Sequence, residues 1–114
     1  MRDFKRYKVW EQGHSITLKM YRKTQTFPKS EEFGMKSQMR RAAYSIPSNI
    51  AEGCGRESDA ELKRFLIISQ GSASELEYFL ILAKDLEYIN EQDYIVLDNE
   101  VNRSINNLVN KIKH

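Results

Sequence analysis

Few side chains in this sequence could carry covalent or metal chemistry. Its one cysteine, Cys54, lies between Gly53 and Gly55 with no histidine at helical spacing to activate it. His14 falls inside an amphipathic stretch and His114 is the last residue, so neither has a second ligand at useful spacing. Glu75 and Glu77 are two residues apart and do not share a helix face, so they suggest no acid–base pair. No metal, no cofactor and no enzymatic activity is expected.

What remains is basic: the pairs Arg40-Arg41 and Lys63-Arg64, and the single Arg56. Guanidinium and ammonium groups bind phosphate or carboxylate, arginine in a bidentate manner. The first reading is contact with nucleic-acid phosphate. The second, for the two pairs, is ion pairing with acids such as Glu57 and Glu61, or with Glu75 and Glu77 of a neighbouring copy. Gly53-Cys54-Gly55-Arg56-Glu57-Ser58 precedes a helix N-terminus, where phosphates bind. It lacks the Gly-Lys-Ser/Thr ending of a Walker loop and follows no strand, so a tight helix-to-helix turn is the expectation.

The elements that position these residues are helices. Apolar positions Val9, Trp10, Gly13, Ile16, Thr17, Met20, Tyr21 and Thr24 recur in steps of three and four, one stripe of an amphipathic helix. It should stop at Phe27-Pro28, because proline disfavours helical dihedrals in the residue before it. Ser30 then offers an N-cap, with Glu31 and Glu32 in the first turn. The second stripe is Phe33, Met35, Gln38, Met39, Ala42, Ala43, Ile46 and Ile50. Pro47 interrupts it, but the apolar phase resumes at Ile50, so a kinked, continuing helix is expected. A glycine at 53 or 55 should close it in the left-handed conformation.

Ser58-Asp59-Ala60-Glu61 has the form of a capping box. The third helix that follows is apolar nearly all round, at Phe65–Ile68 and again at Tyr78–Leu82, which implies burial on more than one side. In so short a chain the second side should belong to another copy, with Gly71-Ser72-Ala73-Ser74 thinning the helix for close approach. Asn90 caps a fourth stripe of Tyr94, Leu97, Val101, Ile105, Leu108 and Ile112. The expected architecture is all-α: one domain over residues 1–114, an up-down-up-down antiparallel four-helix bundle with helices near 7–26, 32–53, 59–88 and 92–112.

Charge is unevenly spread. Residues 1–41 carry eleven Lys/Arg against four Asp/Glu, and residues 42–114 carry seven against twelve. The basic third could meet nucleic acid or the acidic remainder, in one chain or between copies. A lone cysteine suits a reducing cytoplasm, and no leader or membrane span is expected, since the longest apolar run is Tyr78–Ala83.

The stretch FGMKSQMRRAAYSIPSNIAEGCGR, followed by RFLIISQGSASELEYFLILAKDL, resembles the bacterial four-helix-bundle family named after proteins encoded in 23S ribosomal RNA intervening sequences. FKRYKVWEQGHSITLKMYRKTQTFP is similar to that family's first helix, so the resemblance spans about residues 3–88. It implies a bundle assembling as a ring, a homopentamer, without enzymatic activity. It also implies kinship with the accessory subunit of diversity-generating retroelements, a basic pentameric barrel associated with a reverse transcriptase and its nucleic acid. Two functions follow as expectations. One is an oligomeric RNA- or nucleic-acid-binding protein using Arg40, Arg41, Arg56, Lys63 and Arg64. The other is a scaffold for a protein partner, its basic residues used in assembly, in which Arg40→Glu should break the oligomer.

Overall fold

A computed structural model describes residues 2–114, and every regular element among them is helical. The long helices are α1 (Lys8–Lys23), α2 (Met35–Cys54), α3 (Asp59–Asp85) and α4 (Glu91–Lys113), with single 3-10 turns at Phe4–Arg6, Thr24–Thr26 and Lys29–Glu31. Each long helix packs on its neighbours in sequence, and α4 closes on α1, leaving α1 and α3 diagonally opposed. Neighbours run antiparallel. As α1 proceeds from Gln12 through Lys19 to Lys23, its partners on α4 run back from Asn107 through Glu100 to Asp93.

The stripes read from the sequence form the core. Met20, Met39, Ile46, Ile50, Leu76, Leu80 and Leu108 are fully buried. The helices approach most closely at two glycines. A Cβ on Gly13 would lie 2.8 Å from Ile46 Cγ2 and 3.2 Å from the Pro47 nitrogen, and one on Gly53 would lie 2.7 Å from Phe65 Cβ. Helix α2 continues through Pro47, as the apolar phase requires. Proline has no N–H to give to the Ala43 carbonyl. The buried Thr17 hydroxyl stands between that carbonyl, at 3.1 Å, and the Gly13 carbonyl, at 2.8 Å, sharing its single proton. On the other side of α2, the Ser69 hydroxyl donates to the Ile46 carbonyl at 2.7 Å.

Caps at Ser58 and Asn90 form as expected, each side chain accepting from the backbone N–H three residues on. Glu61 does not complete a reciprocal capping box; its carboxylate accepts from Arg64 instead. The start of α2 differs more. Ser30 lies in the 3-10 turn and caps nothing, α2 begins at Met35, and Phe33 is 94% exposed rather than on the stripe. Glu31 supplies the cap from outside the helix: one carboxylate oxygen accepts from Met35 N and the other from the Tyr88 hydroxyl. That hydrogen bond raises the Tyr88 pKa, because it favours the protonated phenol.

Neither Gly53 nor Gly55 is left-handed; Gly55 has φ −81 and its N–H is shared by the Ala51 and Glu52 carbonyls. The left-handed residue is Glu87, φ 64, and α3 ends at Asp85 rather than near Tyr88. Tyr88 N donates to Ala83 O and Glu87 N to Lys84 O, the paired bonds of a Schellman motif. Sequence offers no signal for this, since glycine is the usual occupant.

Ser104 on α4 is fully buried, and its hydroxyl has no partner among the described residues. Removing an unsatisfied buried hydroxyl regains its desolvation cost, so Ser104→Ala is expected to raise the unfolding free energy by about 1 kcal/mol. Chemical denaturation at fixed protein concentration checks this.

Candidate nucleic-acid interface

Antiparallel packing converts the front-to-back charge asymmetry into a pole-to-pole one. At one end of the bundle lie the N-terminal arm, the α2–α3 turn and the last turn of α4. Segments 2–8, 52–64 and 111–113 carry nine Lys/Arg against five Asp/Glu. At the other end, segments 22–36 and 84–93 carry five against six. Much of the first third's basic excess is consumed inside the chain. Lys19 pairs with Glu100 at 2.5 Å and Lys23 with Asp93 at 2.7 Å, which ties α1 to the acidic face of α4.

The five basic candidates are divided. Arg56, Lys63 and Arg64 come together at the basic pole. Arg56 and Arg64 lay their guanidiniums 4.9 and 4.8 Å from the centroid of buried Phe65. Each also meets a carboxylate within one helical turn: Arg56 with Glu52 at 2.9 Å, Arg64 with Glu61 at 3.2 Å. Glu61 was anticipated as a partner of the Lys63-Arg64 pair. Such exposed pairs are worth roughly 0–1 kcal/mol, so both arginines remain available to phosphate.

Arg40 has another task. Its Nε donates to Thr24 Oγ1 at 2.8 Å, Nη2 donates to the Tyr21 carbonyl at 2.9 Å, and the guanidinium lies 4.4 Å from the Tyr21 ring centroid. It closes the C-terminal end of α1, where a cation complements the helix dipole. No carboxylate takes part, contrary to the ion-pair expectation. Arg41, beside it, is exposed and has no ion pair among the described residues.

Sequence reasoning missed Arg2, Lys111 and Lys113. With Lys63 and His114 they line a cleft of about 390 Å³ floored by Tyr7, Leu62 and Leu66. Arg2 is held by Asp59 and by the Arg56 carbonyl at 2.9 Å. Lys111 Nζ lies 4.4 Å from the Tyr7 ring centroid. Lys63, Lys111 and Lys113 have no carboxylate within ion-pair distance among the described residues. Lysines in a last helical turn are expected from the dipole alone, which hides any further role from a sequence reading.

Beneath this cleft Cys54 is buried beside Tyr7. Burial pushes the thiol pKa up, against the opposing effect of Arg2. Tyr7 is likewise raised, by burial and then by Cys54. A buried thiol kept protonated is a poor nucleophile. Among the described residues, no three His, Cys, Asp or Glu side chains come together in a way that could hold a metal. No helix among the described residues is long and apolar enough to cross a membrane.

The sequence model of the 23S rRNA-intervening sequence proteins matches residues 5–110. The chain belongs to that family. Its fold is also that of a solved protein of unknown function from the S23 ribosomal protein family of Bacteroides thetaiotaomicron VPI-5482, with a TM-score of 0.83 and 28% identity. The match covers 93% of this chain and 99% of the other. No curated protein matches. For this member of the 23S rRNA-intervening sequence protein family, nothing in the relatives assigns an activity. The family match does extend well into α4, which the sequence resemblance over residues 3–88 did not reach.

Proposed function

We propose that this protein is a non-catalytic, self-assembling RNA-binding protein whose phosphate contacts are made at the basic pole. The observation that carries this reading is the convergence of Lys63, at the start of α3, with Lys111 and Lys113, at the end of α4, none of them with a carboxylate partner among the described residues. Arg56 and Arg64 stand beside them on the Phe65 platform. Arg41, exposed on α2 beside Arg40, stands toward the other end of the bundle and apart from this pole, and Arg40 serves the bundle. The buried, protonated thiol suits a cytoplasmic protein. We read the assembled form as a homopentameric ring, and a monomer mass by light scattering would overturn that part.

Ribosomal terms in the names of the family and of the solved relative make structured ribosomal RNA the first probe. Affinity for it should fall steeply with salt as condensed counterions are released, the slope of log K against log salt growing by about 0.7–0.9 per phosphate contact. Lys63→Glu combined with Lys111→Glu should weaken binding and flatten that slope by roughly 1.5, the share of two contacts. RNA binding undetectable at low salt would sink the reading. A protein-interaction scaffold is the second reading. It is favoured by the exposed apolar face of α3, and it stands if assembly is found without RNA binding.

A further inference from the structure

Helix α3 turns two faces outward from its axis, and the bundle uses one. Leu66, Ala73, Leu76, Leu80 and Ala83 fill the core. On the opposite side Arg64, Ile67, Ile68, Gly71, Glu75 and Tyr78 recur in steps of three and four, all exposed. Ile67 is 50% exposed and Tyr78 57%, with Ile81 adjoining at 38%. Gly71, at the centre of this stripe, has nothing within 4 Å of where a Cβ would stand. Exposed apolar groups contiguous along a helix, with a gap in the middle of the row, are the form of a docking face.

From this we infer that the outer face of α3 docks on the outer face of α1 of a second copy, in a head-to-tail interface between unlike surfaces. This rests on the self-assembly part of the proposed function and specifies which surfaces meet. Three observations select α1. First, α1 presents exposed Leu18 and Tyr21 on its outer side, and the Tyr21 ring is braced by the Arg40 guanidinium. The outer side of α2 offers only Tyr44 among Ser37, Arg41, Ser48 and Glu52, and α4 offers Ile95 and Val96 with the acids Glu91 and Asp98 one turn either side of Ile95 rather than a cation.

Second, the charges complement. Arg22 follows Tyr21 on α1, and Glu75 and Glu77 accompany the α3 face. None of the three has an ion pair among the described residues. Third, α1 and α3 lie diagonally across the bundle, so the two faces point away from one another. They cannot satisfy each other within one chain. Each copy therefore offers one unfilled face of each kind, and such contacts propagate from copy to copy until the rotation closes them.

Mixing two variants tests the pairing. Ile67→Glu/Tyr78→Glu disables the α3 face and Leu18→Glu/Arg22→Glu disables the α1 face. Both change exposed residues, and circular dichroism confirms that each still folds. Light scattering of the wild type should give an oligomer, and each variant alone a monomer. A one-to-one mixture should give a species of two chains, because it contains one intact face of each kind. The charge pair is read separately. Arg22→Glu alone should weaken assembly about tenfold or more, and adding Glu75→Arg should restore it.

A wild-type monomer overturns the assembly reading, and this inference with it. An oligomeric wild type whose α1-face variant stays assembled points to α3-on-α3 or another contact, and overturns the pairing alone. So does an α3-face variant of unchanged mass, or a mixture that stays monomeric.

Discussion

Gly13→Leu is expected to lower the unfolding free energy by about 3 kcal/mol, the upper part of the range for overpacked sites. The reason lies in what stands opposite. Even a single Cβ at this position meets Ile46 Cγ2 at 2.8 Å and the Pro47 ring nitrogen and Cδ at 3.2 Å. Ile46 and Pro47 are themselves buried and held by α3, so neither can give way cheaply. Helices α1 and α2 must separate, and the contacts that Thr17 on α1 and Thr24 just beyond it make with α2 are loosened with them. The shift in melting temperature should be roughly 10 °C or more for a domain of this size. Gly71→Ala is the control, made in the Ile67→Glu/Tyr78→Glu background so that assembly through the α3 face does not enter. Its Cβ enters open space, so the helix-propensity gain of about 0.5–1 kcal/mol should appear as added stability. Both are read by chemical denaturation at one protein concentration. A Gly13→Leu variant as stable as the wild type would mean that α1 and α2 do not approach in this way.

Thr17→Val is the second. The two side chains have nearly the same shape, so packing is preserved and only the hydroxyl is lost. The Gly13 carbonyl keeps the N–H that an α-helix supplies four residues on. The Ala43 carbonyl does not, because residue 47 is proline. A buried acceptor left unpaired costs about 1–3 kcal/mol, and that is the expected loss. The sharper test is the cycle with Pro47→Ala. An alanine at position 47 brings an N–H to the Ala43 carbonyl, so Thr17→Val should cost markedly less in that background. Equal costs in both backgrounds would show that Thr17 does not serve the proline.

That pairing illustrates where the sequence was legible and where it was not. Continuation of α2 through Pro47 was readable, because Ile50 resumes the apolar phase. The compensating hydroxyl was not, since Thr17 sits in another helix and looks like one more stripe residue. The caps at Ser58 and Asn90 were readable because a cap depends on residues three apart. Ser30 has the same composition cues and fails. Glu31 is drawn instead to Met35 N and to the Tyr88 hydroxyl from the far side of the chain.

The basic residues divide in the same way. Arg40 and Arg41 are adjacent and alike in sequence, yet one is taken up by Thr24 and Tyr21 while the other is exposed. Their orientations differ by about 100°, and what each orientation meets depends on where α1 lies. Lys111 and Lys113 were invisible as partners of Lys63 until antiparallel packing brought the end of α4 to the start of α3.

By itself, then, the sequence determined the four helices and most residues of the core, because a 3.6-residue period and local caps are written into short windows of chain. Only the tertiary structure decided which polar groups serve the fold and which stay available. Those choices rest on contacts between residues tens of positions apart. It left Lys63, Lys111 and Lys113 together at one pole with no ion pair among the described residues, and it left the outer faces of α1 and α3 turned away from each other across the bundle.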